Sequence, residues 1–136
     1  MTEKKEFLTI TLTGREPVKI RLADWPIIAE ASADNYDGQY DFQANRTSKH
    51  TIKVRQHSDG RAIVYGFMDY SSKFQGESGF AARGGELLEA GASIPDAIAR
   101  VGGELEARMP EDDGYSAGVF PRLVHECTAD LPAVQI

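Results

Sequence analysis

Hydrophobic and polar positions alternate most clearly between His50 and Tyr70, and this pattern predicts a β-hairpin. Ile52 and Val54 share one face of the first strand, and polar residues occupy the other. The tripeptide Ser58-Asp59-Gly60 lies between the two strands and is predicted to form the turn. An aspartate side chain can bond to nearby backbone, and glycine tolerates positive φ. The return strand, residues 61–70, is apolar on both faces. We therefore expect it to be a central strand covered on both sides, or a surface that receives a partner.

Weaker patterns predict the elements around this hairpin. Alternation over residues 7–12 and 18–22 predicts a first hairpin with one buried face, and alternation over residues 40–44 predicts a further short strand. An aspartate N-cap followed by a proline in the first turn predicts a short helix over residues 24–33. The Gly- and Ser-rich stretch 71–91 is expected to be mostly loop.

Two helices are predicted in the C-terminal part of the chain. Ser93 has the properties of an N-cap, Pro95 fits the first turn, and apolar residues recur at helical spacing up to Met109. A last helix carries Phe120 and Cys127 on its apolar stripe. The predicted fold is α+β, a mostly antiparallel five-stranded sheet with helices packed on one face in the order ββαβββαα, within a single domain spanning residues 1–136.

Composition and charge narrow the classes of function. The sequence is 41% hydrophobic and 26% charged, as in ordinary globular proteins. No apolar run is long enough to cross a bilayer, and the charged N-terminus does not resemble a signal peptide, so we expect no membrane association and a cytoplasmic location. The net charge of −6 is uneven: residues 1–75 hold 11 Lys and Arg against 10 Asp and Glu, whereas residues 76–136 hold 4 against 11.

Catalytic and metal-binding motifs are poorly supported. His125 lies two residues from Cys127, the only cysteine, but side chains at i and i+2 of a helix point about 200° apart and do not converge. We therefore expect Cys127 in the core rather than as a nucleophile. A zinc site would have to recruit His50 or His57 from the distant hairpin. The expectation is a protein without cofactor, metal or enzymatic activity.

Two charged surfaces are the candidate binding sites, and the sequence leaves both open. An acidic face would contact a partner protein through Glu104, Glu106, Glu111, Asp112 and Asp113. A basic hairpin face with aromatic neighbours is typical of proteins that bind single-stranded nucleic acid. Its members are Lys53, Arg55, His57, Arg61, Tyr65 and Phe67.

The strings LTITLTGREPVKI, DWPIIAEA, IKVRQHSDGRAIVYG and GGELLEAGASIPDAIARVGGEL together resemble small uncharacterised accessory proteins of bacterial mobile elements, namely plasmids, integrative elements and phages. The resemblance implies a protein that binds a host or element-encoded protein, for example as an inhibitor or modulator. Our leading hypothesis is a non-enzymatic binding protein acting through protein–protein contact. The alternative is a nucleic-acid-binding regulator, and the third is an enzyme dependent on Cys127 and His125. If the apolar return strand lies at a sheet edge, it would pair with the same strand of a second copy and form a homodimer.

Overall fold

The computed structural model describes residues 6–34, 46–72, 78–108 and 119–132. Two antiparallel sheets and two helices make up this part of the chain. The two-stranded sheet, called the ribbon below, contains β1 (Phe7–Ile10) and β2 (Val18–Arg21). The four-stranded sheet has the order β3 (Ile27–Asp34), β4 (Arg46–Gln56), β5 (Ala62–Ser72) and β6 (Ser78–Leu88). The helices are α1 (Ile94–Ala107) and α2 (Val119–Asp130), so the predicted α+β class is confirmed.

The hairpin predicted between His50 and Tyr70 is confirmed as β4 and β5. Gly60 closes the turn with φ of 98°, and its N–H donates to the carbonyl of His57 at 2.9 Å. The Asp59 carboxylate accepts the N–H of Arg61 at 3.0 Å, which is the local bond expected for an aspartate at this position. β5 lies between β4 and β6 and is therefore an internal strand, not a sheet edge.

Both helices pack on one face of the four-stranded sheet, which we call the inner face. Ser93 caps α1 by accepting the N–H of Asp96 at 3.3 Å, as its sequence predicts. A Cβ on Gly102 would overlap Val124, so glycine allows α1 and α2 to approach closely. None of the described helices has the length and hydropathy to span a membrane. The apolar side chains between the helices and the inner face form the inner core. Its members include Ile52, Val54, Val64, Ile98, Val101, Leu105, Phe120, Leu123 and Cys127.

The ribbon covers part of the opposite face of the four-stranded sheet, which we call the outer face. Its apolar side contributes Ile10, Leu12 and Ile20, as the alternation over residues 7–12 and 18–22 predicts. These side chains and Trp25 form a second core with Ile63 and Tyr65 of β5. Residues 62–68 of β5 are consequently buried or half-buried on both faces, which explains why this part of the strand is apolar.

The helix predicted over residues 24–33 is wrong. Leu22–Asp24 form a single 3₁₀ turn, and Ile27–Asp34 form strand β3, which pairs with β4. Alanine favours helices, but here Ala29 is buried and Glu30 is exposed, a two-residue alternation along an edge strand. The long strand β4 offers a hydrogen-bonding partner that the local helix signals do not take into account.

The loop predicted over residues 71–91 is also wrong, because Ser78–Leu88 form strand β6. Glycines at positions 84 and 85 conceal the alternation from a hydropathy pattern. With β3 and β6 present and the ribbon separate, the described strands form two sheets rather than one sheet of five strands in the order ββαβββαα. The strand predicted at residues 40–44 lies outside the described residues.

Candidate functional site

Four neighbouring side chains combine positive charge and aromatic surface on the outer face. In the antiparallel register, Lys53 lies opposite Tyr65, and Phe67 lies opposite Arg83. Directly opposed residues of neighbouring strands have Cβ atoms about 5 Å apart. The sheet itself therefore places two cations beside two aromatic rings.

These side chains line a groove between the ribbon and the outer face, which we call the outer groove. It encloses about 400 Å³. Within the part of the chain that the structure describes, the lining includes three cationic side chains, several apolar ones and no carboxylate. The lining residues are Leu8, Thr9, Ile10, Thr11, Leu22, Lys53, Arg55, Tyr65, Gly66, Phe67, Arg83 and Gly84.

One of the three cations, Arg55, is held by bonds within the protein. Its Nε donates to the Tyr65 hydroxyl at 2.9 Å, and its Nη1 donates to the Trp25 carbonyl at 3.0 Å. Through Arg55, these bonds connect Trp25, which follows the ribbon in the sequence, to the four-stranded sheet. Tyr65 is only 7% exposed, so its ring packs in the second core, between the ribbon and the sheet, and does not present a free stacking surface.

Lys53 and Arg83 provide the remaining positive charge of the outer groove. Lys53 is half-buried and Arg83 is exposed. A second cavity of about 550 Å³ adjoins the outer groove, because both are lined by Lys53 and Phe67. This second cavity is also lined by Glu30 and Lys49, so among the described residues the carboxylate of Glu30 borders it on the β3 side.

The structure does not bring all six residues of the predicted basic face together. Lys53, Arg55, Tyr65 and Phe67 line the outer groove, whereas His57 and Arg61 do not. The His57 ring lies 5.1 Å from the Trp25 ring, and the Arg61 guanidinium lies 5.2 Å from the same ring. Arg61 also binds Asp59, whose pKa is lowered chiefly by its hydrogen bond from the Arg61 backbone. These two residues stabilise the end of the hairpin.

The predicted acidic face is described only in part. Glu104 and Glu106 lie on α1, where Glu104 is exposed and Glu106 is half-buried. The other members, Glu111, Asp112 and Asp113, lie outside the described residues. The face therefore stays a prediction.

Cys127 and His125 point away from each other, as their spacing predicts. His125 is exposed, while Cys127 is fully buried in the inner core. Desolvation raises the pKa of the Cys127 thiol to about 11, and the carboxylates of Asp130 and Glu30 add to the shift. The expected core position of Cys127 is confirmed.

We predict that Cys127 is nearly inert toward thiol reagents in the native protein. At pH 8 its raised pKa lowers the thiolate fraction about a hundredfold relative to an unperturbed cysteine, and burial adds steric protection. Labelling with Ellman's reagent should therefore be slow in buffer and complete in about 6 M guanidinium. Equal labelling rates in the two conditions would contradict the burial of Cys127.

His50 lies on the inner face, where it packs against α2. It is 1% exposed, and its ring meets the edge of Phe120 with the ring centroids 5.2 Å apart. His57 is on the hairpin turn and His125 on α2. Across the described ranges, no three His, Cys, Asp or Glu side chains are grouped so as to hold a metal ion.

Two contributors to the outer groove are not predicted from the sequence. Arg83 lies on β6, in a stretch for which the sequence predicts mostly loop. The weak alternation of Ala82, Gly84 and Leu88 is the pattern that could have indicated a strand there. Strand β1 supplies the consecutive residues Leu8–Thr11 to one wall. Its alternation was visible, but its position over the sheet depends on long-range packing.

No protein-family model matches the chain, and neither the curated proteins nor the solved structures contain a significant match.

Proposed function

We propose that this protein is a non-enzymatic binding protein that contacts a partner protein through the outer groove. The observation that carries the proposal is the lining of that groove. Lys53, Arg55 and Arg83 line it together with apolar side chains, and none of its described lining residues is a carboxylate. Such a surface favours an acidic segment with apolar side chains. The resemblance to mobile-element proteins adds a setting in which the partner is a host or element-encoded protein that is inhibited or modulated.

A protein segment suits the outer groove better than a nucleic acid does. Tyr65 is buried, and the guanidinium of Arg55 already binds Tyr65 and Trp25, so neither is free to stack on a base or to bind a phosphate. The chain also carries a net charge of −6, which opposes a nucleic acid with one charge per nucleotide more strongly than a short segment with a few carboxylates. A nucleic acid is the second candidate, because Lys53 and Arg83 place positive charge beside Phe67, whose side chain is half-buried.

Site-specific photo-crosslinking tests the proposal in cells of the native host. Benzoylphenylalanine replaces Phe67 in the outer groove, Glu104 on the acidic face, or Arg122 on α2 as a control on an exposed helical surface. Because Phe67 is aromatic and half-buried, this substitution preserves its shape better than it would at a charged position. We expect a protease-sensitive adduct at position 67 and none at position 122.

Each other result contradicts the proposal in a defined way. A nuclease-sensitive, protease-resistant partner at position 67 supports the nucleic-acid candidate. An adduct at position 104 alone moves the contact to the predicted acidic face. Equal adducts at positions 67, 104 and 122 indicate non-specific contact and remove the outer groove as a special surface.

A further inference from the structure

One edge of the ribbon borders the outer groove, and its backbone groups pair with no other strand that the structure describes. The N–H of Leu22 donates to the carbonyl of Glu6 at 2.9 Å, so residues 6 and 22 form a hydrogen-bonded pair. In an antiparallel ladder such pairs alternate with pairs whose N–H and C=O groups point outward. The backbone groups of Leu8 and Ile10 therefore point toward β2, and those of Phe7 and Thr9 point away from it.

The outer groove runs along the edge of β1 that points away from β2. Four consecutive residues, Leu8–Thr11, line it, and no residue of β2 does. Consecutive lining residues are expected when a cavity runs along a strand edge, since alternate side chains point to opposite faces. Within the described residues, no other strand pairs with this edge of β1.

Each edge of the four-stranded sheet is occupied at one or two positions by contacts from the rest of the protein. On β3, the N–H of Glu30 donates to the carboxylate of Asp130 at 3.0 Å. On β6, Arg108 donates to the carbonyl of Arg83 at 2.7 Å, and Thr13 exchanges two hydrogen bonds with Gly85. Side-chain and loop contacts of this kind prevent pairing with a further strand. The edge of β1 along the outer groove has no such contact among the described residues.

We infer that the partner adds an extended segment to the open edge of β1 and places acidic side chains against Lys53 and Arg83. This inference rests on the proposed function and specifies its geometry. Main-chain hydrogen bonds to Thr9 and Phe7 would supply affinity, and alternate side chains of the segment would enter the outer groove. Apolar side chains would meet Leu8, Ile10 and Phe67 there.

A second copy of this chain is a poor occupant of the same edge. Its own β1 carries no carboxylate between Phe7 and Thr13, and its β2 would bring Lys19 and Arg21 toward a surface that is already cationic. Like charges placed opposite each other disfavour strand pairing. The charge of the groove therefore selects an acidic segment from another protein.

An array of peptides of about eight residues, in which Asp or Glu alternates with Val, Ile or Leu, provides the probe. For a binder from the array, hydrogen exchange of the wild-type protein should slow about tenfold or more at the Thr9 amide. The Lys19 amide, directly opposite on the far edge of β2, should be unchanged and serves as an internal control.

Matched proline variants test the same edge by affinity. Thr9→Pro removes an outward N–H without breaking the β1–β2 ladder, and it should weaken peptide binding about tenfold. Lys19→Pro makes the equivalent change on the other edge of the ribbon and should change affinity by about twofold or less, as should Lys19→Ala. The exchange measurement needs no variant and remains decisive if a proline variant does not fold.

The outcomes separate this inference from the proposed function. If a peptide binds, Lys53→Glu lowers its affinity and the exchange rate of the Thr9 amide does not change, strand addition is wrong. Binding in the outer groove would still be supported by that result. An array without any binder also overturns strand addition, while crosslinking at position 67 decides the proposed function independently. Protection of Thr9 that grows with protein concentration alone, together with a dimer in sedimentation, would make a second copy the occupant and overturn the acidic segment.

Discussion

Replacing Phe120 by alanine is expected to lower the free energy of unfolding by about 3–5 kcal/mol. Phe120 is 0% exposed and is the largest of the fully buried side chains. It lies in the first turn of α2, where its ring contacts the ring of His50 on β4. The substitution removes apolar contacts and leaves a cavity between the helices and the sheet. Since small proteins are stable by about 5–15 kcal/mol, this loss is a large fraction of the total.

Phe7 provides the matched control for Phe120. It is 43% exposed on the ribbon, where the Lys19 ammonium lies 4.9 Å from its ring centroid. Phe7→Ala removes the same number of atoms from a wet surface and should cost about 1 kcal/mol or less. Urea denaturation of both variants measures the difference. Equal losses of stability would contradict the division between a buried inner core and an exposed ribbon face.

The sequence was sufficient to predict the elements whose signals are local. The hairpin of β4 and β5 has alternating hydrophobicity and an Asp-Gly turn, and α1 has a serine cap followed by a proline and a helical apolar stripe. In these segments propensity, capping and hydrophobic pattern all favour the same structure.

The sequence was insufficient where long-range pairing decides the structure. Residues 27–33 contain three alanines after an Asp-Trp-Pro start, which favours a helix locally. Pairing with β4 makes them a strand, and α2 then packs against this strand. Small side chains suit that contact, because they let a helix approach the sheet closely. Neither the pairing nor the helix contact can be read from residues 27–33 alone.

The candidate site was predicted to the same extent. Lys53 and Arg55 were placed on one face by their spacing in β4, and Tyr65 and Phe67 were placed beside them by the hairpin register. Arg83 was missed with its strand. The ribbon that forms one wall contributes through packing between distant parts of the chain, so the outer groove itself was not predictable from any one segment.

Charge reversal in the outer groove is expected to have the largest effect on binding. Lys53→Glu and Arg83→Glu each replace an attraction for an acidic segment by a repulsion. We expect each to weaken binding about tenfold, or about 1.4 kcal/mol, and the double variant to weaken it about a hundredfold. Both side chains are at least partly exposed, so neither substitution buries a charge or should unfold the protein.

Arg122→Glu controls for the change in net charge. Arg122 is exposed on α2, on the opposite side of the sheet from the outer groove, and it forms a 3.6 Å ion pair with Glu126. The substitution makes the same change in charge as Lys53→Glu. Long-range repulsion alone would therefore affect both variants similarly, whereas direct contact affects only the groove variant.

Fluorescence anisotropy with a labelled acidic array peptide, titrated with wild-type, Lys53→Glu, Arg83→Glu and Arg122→Glu proteins, tests the central claim most directly. The outer groove as the binding surface predicts about tenfold weaker binding for each groove variant and a change of about twofold or less for Arg122→Glu. Equal weakening by all three variants, or none by the groove variants, would contradict it.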